Sequence, residues 1–188
     1  MTQKYQNKRL IGLTGPSGAG KDAIGTYLVM SKLFHRMAFA DPVKKTMAAF
    51  FGVSLQDFHS VELKNKVCPV WGLSRRAMLH RGSDALKGEF GADHFTRRLV
   101  NDYLHIADRE DVVVTDVRTD DEARAMRELG GKIVLVLRPG AGLTGADALH
   151  HLEQGVSASL ISAVVVNDGS LQDLYDRVFN LLGSLYDE

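Results

Sequence analysis

The chain alternates short apolar runs with longer amphipathic stretches over nearly its whole length. Short runs rich in β-branched residues are typical of strands that are buried on both faces of a parallel sheet. Such runs occur at residues 9–14, 37–40, 111–116, 132–137 and 163–166. The clearest is the Val112-Val-Val-Thr115 run. The pattern therefore predicts an α/β fold with about five parallel strands.

Helical periodicity fills the intervals between these runs. The predicted helices cover residues 21–32, 42–51, 74–87, 92–107, 119–130 and 170–185. Asp41 is expected to be the N-cap of the second helix, with Pro42 at its first position. Thr119 and Glu122 have the spacing of a capping box. Since crossovers between parallel strands are right-handed, we expect helices on both faces of the sheet, in a three-layer sandwich.

The organisation is that of a single domain of 188 residues. Its core is expected at 9–52 and 108–185, with a helical insert at 53–107. Residues 53–72 fit neither helix nor strand clearly. The Gly-rich segment 139–157 is predicted to be mobile and lid-like.

Composition excludes several classes of protein. The chain has 23 basic and 23 acidic residues, and its zero net charge argues against a dedicated nucleic-acid binder. No apolar run approaches the roughly 18 residues of a membrane span, and the polar N-terminus lacks a signal core. A single cysteine, Cys68, excludes a disulfide framework and a Cys-based zinc site within one chain. These features predict a cytoplasmic protein that does not enter a membrane.

The segment from Gly15 to Asp22 reads Gly-Pro-Ser-Gly-Ala-Gly-Lys-Asp and lies between the first strand and the first helix. It matches the phosphate-binding P-loop in the expected strand–loop–helix context. Its glycines allow backbone N–H groups to turn toward phosphate oxygens, and Lys21 supplies a positive charge. Asp22 stands where Ser or Thr usually contacts Mg²⁺, but a carboxylate oxygen also binds Mg²⁺. This change argues against a generic ATPase or GTPase and favours a particular kinase subgroup.

A second pair of charged residues follows the valine-rich strand. Asp116 ends that strand, where an acid helps hold Mg²⁺ in P-loop enzymes. Arg118 lies two residues on and would point to the same side in extended chain. The alternative is local: Asp116 would cap the turn, and Arg118 would pair with an acid such as Asp120.

Residues 60–100 form a basic stretch inside the neutral chain, with eight basic and four acidic residues. Arginines there could clamp a substrate phosphate by bidentate pairing. The alternative is a set of solvated helix faces. Arg75 and Arg76 cannot share one helix face, so at most one of them should point into a given site.

Several segments, in this order, resemble the phage-type deoxynucleoside monophosphate kinases. They are Gly15 to Asp22, Phe39-Ala-Asp-Pro-Val-Lys44, Arg75-Arg76 with Gly82-Ser-Asp84, Asp116-Val-Arg118, Arg138-Pro-Gly140 and Asn167-Asp-Gly-Ser170. The resemblance spans about residues 9 to 185. It implies a P-loop nucleoside monophosphate kinase fold and transfer of the ATP γ-phosphoryl to a deoxynucleoside monophosphate, giving the diphosphate used as a DNA precursor. Because related kinases include dimers, it also admits a homodimer.

The resemblance assigns expected roles residue by residue. The residues expected to contact ATP are Gly15, Ser17, Gly18, Ala19, Gly20, Lys21, Asp22, Ala23 and, near the adenine, Asn167. Asp22 and Asp116 are expected to bind Mg²⁺. Lys21, Arg118 and Arg138 are expected to contact the transferred phosphoryl group. The residues expected to contact the acceptor are Asp41, Lys44, Arg75, Arg76, Asp84, Lys87, Phe95 and Arg98. His150, Glu153 and Gly155 match a His-x-x-Glu-x-Gly pattern of the family.

Three residues depart from the family pattern, and all belong to the expected acceptor pocket. Leu79 replaces a usual Gln, Lys87 an Arg that is common there, and Phe95 a usual Trp. These changes bear on base preference more than on reaction type. The remaining alternatives are a P-loop kinase of another acceptor, such as dephospho-coenzyme A or phosphomevalonate, a nucleotide-dependent switch, and a DNA-binding ATPase.

Overall fold

A computed structural model describes residues 8–32, 34–60, 62–142 and 155–186. The chain divides into two compact units. The first comprises Met1–Ala38 and Leu99–Glu188, and the second comprises Phe39–Arg98. The predicted division into a core and an acceptor-binding insert at 53–107 stays a prediction.

The strands of the described residues are β1 (Leu10–Thr14), β2 (His35–Met37), β3 (Val67–Cys68), β4 (Leu73–Ser74), β5 (Val112–Val114), β6 (Lys132–Leu137) and β7 (Ala163–Val166). Five of them form one sheet in the first unit, in the order β2-β5-β1-β6-β7. All its neighbouring pairs are parallel. The predicted α/β fold with a five-stranded parallel sheet is confirmed.

The helices are α1 (Lys21–Lys32), α2 (Asp41–Phe51), α3 (Arg75–Phe90), α4 (His94–Leu104), α5 (Asp120–Glu128) and α6 (Leu171–Tyr186). Ile11 and Leu13 of β1 are buried in a cluster with residues of α1 and α6. Between them, Gly12 faces Met126 of α5, because a Cβ at Gly12 would lie 2.9 Å from the Met126 sulfur. Helices therefore cover both faces of the sheet, as the pattern predicted.

The second unit is built from α2, α3, the antiparallel pair β3 and β4, and a short 3₁₀ helix at Leu55–Phe58. Its apolar cluster contains Val43, Met47, Ala48, Phe58, Met78 and Phe95. The expectation that Asp41 is the N-cap of α2 is wrong. Ala40 occupies that position without a side-chain cap, and the Asp41 carboxylate instead lies 3.7 Å from the Lys44 ammonium one turn along the helix.

Candidate functional site

The carboxyl ends of four adjacent parallel strands carry residues that were expected to contact ATP, Mg²⁺ or the transferred group. Gly15 follows β1, Asp116 lies just beyond β5, Arg138 follows β6, and Asn167 follows β7. Parallel strands bring these ends to one edge of the sheet, which is where open α/β sheets bind ligands. The candidate phosphate site therefore lies within the first unit.

The loop after β1 has a backbone that requires glycine at its two ends. Gly15 has φ +127°, and a Cβ there would lie 2.2 Å from the Val136 carbonyl oxygen of the neighbouring strand. Gly20 has φ +113°, and a Cβ there would lie 2.6 Å from the Asn167 amide nitrogen. L side chains rarely adopt such φ values, so these glycines fix the path of the loop.

The Lys21 side chain folds back over this loop. Its ammonium donates hydrogen bonds to the carbonyl oxygens of Gly15 at 2.6 Å and Pro16 at 2.8 Å. Asp22 is exposed in the first turn of α1. A charged amine and the N-terminus of a twelve-residue helix thus meet at the loop, an arrangement suited to binding anions.

The other expected loop contacts differ in exposure. Ala19 is fully buried, Gly18 is exposed, and Ser17 and Ala23 are half-buried. The contribution of Ala19 to a ligand is therefore limited to its backbone.

Asn167 links the end of β7 to the phosphate loop. Only 7% of this residue is exposed, and its side-chain amide donates a 2.9 Å hydrogen bond to the Ala19 carbonyl oxygen. Its backbone N–H donates to the Leu137 carbonyl oxygen of β6 at 2.7 Å. Asn167 therefore holds the loop against the sheet edge, in addition to any contact it makes with a nucleotide.

Asp116 and Arg118 lie on the turn between β5 and α5, and both are half-buried. The residue between them, Val117, is buried and donates its backbone N–H to the Leu13 carbonyl oxygen at 3.1 Å. This bond ties the turn to the strand that leads into the phosphate loop. Asp120, the acid named above as a possible partner of Arg118, accepts hydrogen bonds from the backbone N–H and the hydroxyl of Ser157.

Arg138 is exposed, and its carbonyl oxygen accepts a 3.1 Å hydrogen bond from the Ala141 N–H in the turn after β6. His150 and Glu153 lie outside the described residues, as does most of the segment 139–157. Gly155 is described and has φ +84°.

In the second unit, Arg75 carries a buried guanidinium. Its Nη2 donates a 2.6 Å hydrogen bond to the Asp57 carboxylate, and the residue is 9% exposed. The hydrogen bond with Asp57 raises the pKa of Arg75 above its ordinary value. The hydrogen bond with Arg75 in turn lowers the pKa of the Cys68 thiol.

Arg76 points to different partners than Arg75, as helix spacing requires. Its Nε donates to the Asn65 side-chain oxygen at 3.1 Å, and its backbone N–H donates to the Lys64 carbonyl oxygen at 2.9 Å. The Ser74 hydroxyl accepts from the Ala77 N–H and so caps the turn that carries both arginines.

The remaining expected acceptor residues also lie in the second unit. The Lys87 ammonium lies 5.9 Å from the centroid of the Phe95 ring, and Phe95 is 7% exposed. Asp84 and Arg98 are exposed on α3 and α4.

Two carboxylates that sequence reasoning did not assign to a site hold expected site residues in place. Asp57 binds Arg75, and Glu122 accepts from the Arg118 backbone N–H at 2.7 Å. No sequence pattern marked Asp57, because it lies in the stretch with no clear periodicity. A sequence pattern did mark Glu122, since the spacing of its capping box predicts the start of α5.

The structure resembles known kinases in fold. It matches dephospho-CoA kinase from Campylobacter jejuni with a TM-score of 0.55 at 13% identity, over 96% of this chain and 99% of that one. At this identity the likeness concerns the fold alone. Within the described residues, no helix has the length and apolarity that a membrane crossing requires.

Two curated relatives match at the level of sequence. A protein of Acanthamoeba polyphaga mimivirus, provisionally named a deoxynucleotide monophosphate kinase, is 29% identical over 91% of this chain and 94% of its own. The deoxynucleotide monophosphate kinase of Enterobacteria phage T4 is 29% identical over 63% of this chain and 48% of its own length. The chain thus spans about half the length of the phage T4 protein.

The family model for deoxynucleotide monophosphate kinase matches residues 54–178, about two thirds of the chain. This match includes the turn with Asp116 and Arg118, the residue Asn167 and most of the second unit. The chain belongs to the deoxynucleotide monophosphate kinase family.

Proposed function

We propose that this protein transfers the γ-phosphoryl group of ATP to the 5′-phosphate of a deoxynucleoside monophosphate, giving the deoxynucleoside diphosphate and ADP. The observation that carries the proposal is the Lys21 ammonium held over a P-loop, in a chain of this kinase family. The acceptor class follows from the names of the relatives, and the ATP site follows from the loop.

The ATP phosphates would lie in the loop after β1. Backbone N–H groups of its glycines and the N-terminus of α1 would face the phosphate oxygens, which need no side chain for this purpose. The Lys21 ammonium would exchange its bonds to loop carbonyls for bonds to the outer phosphates. The ATP contacts that we propose are Gly15, Ser17, Gly18, Ala19, Gly20, Lys21, Asp22 and Ala23, together with Asn167, which is hydrogen-bonded to Ala19.

The carboxylates at this edge fit a magnesium ion in kind and number. Mg²⁺ prefers oxygen ligands and is usually held by one or two carboxylates together with substrate phosphates. The described residues contain no group of three or more His, Cys, Asp or Glu side chains that could hold a metal on their own. We therefore assign Mg²⁺ to Asp22 and Asp116 with the ATP phosphates. When bound, Mg²⁺ neutralises the charge that develops on the transferred group.

Transfer would be direct and in line. A bond forms between an acceptor phosphate oxygen and the γ-phosphorus, while the bond from that phosphorus to the β–γ bridging oxygen breaks and ADP leaves. The transition state is loose, so positive charges matter more than a base. Lys21, Arg118 and Arg138 would supply them. An acceptor phosphate with a second pKa of about 6 is already ionised near neutral pH, so we assign no general base.

Acceptor binding is assigned to the second unit. Its candidates are Asp41, Lys44, Arg75, Arg76, Asp84, Lys87, Phe95 and Arg98. Arg75 is the best placed to hold a phosphate rigidly, because Asp57 fixes one side of its guanidinium at 2.6 Å. Phe95 is 7% exposed and so offers little ring surface for stacking with a base. Charge therefore dominates the contacts we propose for the acceptor.

The direct test measures ADP release from Mg-ATP with each acceptor in turn. The acceptors are dGMP, dTMP, dCMP, dAMP, the matching ribonucleotides and dephospho-coenzyme A, with ATP alone as the blank. We expect rapid turnover with at least one deoxynucleotide and little with ATP alone. Turnover only with dephospho-coenzyme A, or equal hydrolysis without any acceptor, would overturn the proposed substrate and keep the ATP site.

A further inference from the structure

The Glu122 side chain is a buried carboxylate in the first turn of α5. Only 8% of the residue is exposed. One carboxylate oxygen, Oε2, accepts hydrogen bonds from the backbone N–H groups of Arg118 at 2.7 Å and Thr119 at 3.1 Å. In the opposite direction, the Glu122 backbone N–H donates to the Thr119 hydroxyl at 3.3 Å.

A capping box accounts for only part of this arrangement. Its two reciprocal bonds join Thr119 and Glu122, and they satisfy the N-terminus of the helix. The bond to the Arg118 N–H is additional, and it is the shortest of the three. It reaches beyond the helix into the turn that carries Asp116 and Arg118.

That turn is held from two sides. On the strand side, the Val117 N–H bonds to the Leu13 carbonyl of β1, and the Val117 side chain is buried. On the helix side, Glu122 holds the next N–H along the chain. The backbone from Asp116 to Arg118 is therefore fixed relative to the strand that enters the phosphate loop.

We propose that Glu122 is a positioning residue for phosphoryl transfer, which acts by fixing the Arg118 backbone so that Asp116 and Arg118 face the phosphate edge. The inference rests on the proposed function, because it concerns the same transferred group. Without the carboxylate, the Arg118 N–H loses its partner and the turn can shift. A displacement of about 1 Å at such a site is enough to lower the rate of an enzyme about 100-fold.

The test compares three substitutions at Glu122 with Thr119→Ala. Glu122→Ala removes both backbone contacts, and Glu122→Asp keeps the charge but is one methylene too short to reach the Arg118 N–H. Glu122→Gln keeps an oxygen acceptor at the same reach. Thr119→Ala weakens the capping box and leaves the bond to Arg118, so it is the matched control for helix stability.

We expect Glu122→Ala and Glu122→Asp to lower kcat by about 10- to 100-fold, with KM for the deoxynucleotide changed by less than about 3-fold. Glu122→Gln should stay within about 5-fold of the parent kcat, because it keeps the acceptor. Thr119→Ala should lower Tm by about 2–4 °C and leave kcat within about 2-fold. All rates are measured well below each Tm, with circular dichroism confirming the folded state.

The result that overturns the inference is a Glu122→Asp kcat equal to that of Thr119→Ala in a folded protein. This variant keeps a buried charge, so the test stands even where Glu122→Ala does not fold. A parent protein that is inactive with every deoxynucleotide would instead refute the proposed function. The binding of ADP, measured by calorimetry, should stay within about 3-fold in Glu122→Asp, since the loop itself is untouched.

Discussion

The side-chain amide of Asn167 donates a 2.9 Å hydrogen bond to the carbonyl oxygen of Ala19, across 148 positions of sequence. Both residues are buried, so the bond is shielded from water. It fastens the end of β7 to the middle of the phosphate loop. Two segments that the resemblance assigns to opposite ends of ATP are therefore hydrogen-bonded directly to each other.

Replacement of Asn167 by Ala should loosen the phosphate loop. The buried Ala19 carbonyl would lose its partner, which costs about 1–3 kcal/mol of unfolding free energy. We expect a lower Tm and a several-fold higher KM for ATP, with KM for the deoxynucleotide unchanged. Thermal unfolding and two-substrate kinetics measure these effects. Asn180→Ala, at an exposed position of α6, is the control and should change neither. An unchanged KM for ATP in Asn167→Ala would contradict the assignment.

Removal of the Asp57 carboxylate should weaken both the second unit and its proposed acceptor site. Arg75 is buried and would keep its charge without its partner, at a cost of about 1.5–3 kcal/mol. We expect Asp57→Ala to lower the unfolding free energy and to raise KM for the deoxynucleotide more than KM for ATP. Chemical denaturation and steady-state kinetics measure the two effects.

Comparison of Arg75→Ala with Arg76→Ala decides which arginine meets the acceptor phosphate. Arg76 bonds to the neutral Asn65 side chain at an exposed site, so its loss should change stability by no more than about 0.5 kcal/mol. We expect Arg75→Ala to give the larger rise in KM for the deoxynucleotide. A larger rise in KM for the deoxynucleotide in Arg76→Ala would contradict this expectation and assign the phosphate contact to Arg76.

Asp120 should make stability depend on pH in the acid range. Hydrogen bonds donated by the backbone N–H and then the hydroxyl of Ser157 lower the pKa of Asp120. The stabilisation is therefore complete above the unfolded pKa of about 3.9 and is lost as the pH falls through the lower folded value. The Tm difference between the parent and Asp120→Asn should be largest near neutral pH and vanish in strong acid. A difference that is independent of pH would exclude this ionisation as its cause.

Tyr186 should contribute to stability and not to activity. Its hydroxyl donates a 2.8 Å hydrogen bond to the Leu10 carbonyl oxygen at the start of β1, and burial raises its pKa. Tyr186→Phe removes this bond and should cost about 1 kcal/mol, or about 2–4 °C in Tm, with kcat unchanged. Tyr175→Phe is the control, because its ring stacks on Tyr27 and stacking survives the change. Equal effects of the two variants on Tm would contradict the role of the Leu10 contact.

Four of the five strands of the sheet lie where the apolar runs predicted them, whereas the strand predicted at 37–40 lies at His35–Met37 and is only partly buried. Val112, Val113 and Val114 are fully buried, and an unbroken β-branched run is what such a strand requires. The phosphate loop could be predicted because its glycines and Lys21 have a fixed spacing. The start of α2 differs from the prediction by one residue: Asp41 is the first residue of the helix, and its carboxylate lies 3.7 Å from the Lys44 ammonium instead of capping the helix.

The two carboxylates that hold site residues in place, Asp57 and Glu122, could not be predicted in the same way. Asp57 lies 18 positions before its partner Arg75, in a 3₁₀ helix of four residues that is too short to show periodicity. Glu122 was recognised as half of a capping box, but its bond to Arg118 depends on the path of the turn, which no spacing rule encodes. The Asp57–Arg75 pair is a tertiary contact and the Glu122–Arg118 bond is a local one set by the turn, so neither produces a pattern in the sequence.

The most direct test of the account follows radiolabelled γ-phosphoryl from ATP into product, with the parent protein and with Lys21→Ala. We expect the label to appear in deoxynucleoside diphosphate, and the substitution to slow its appearance by at least about 100-fold. Lys132 is the first residue of β6 and lies at the amino ends of the parallel strands, away from the phosphate loop. Lys132→Ala should therefore transfer label at the parent rate. Label released as inorganic phosphate, or unchanged transfer by Lys21→Ala, would contradict the central claim that this loop and its lysine carry out phosphoryl transfer.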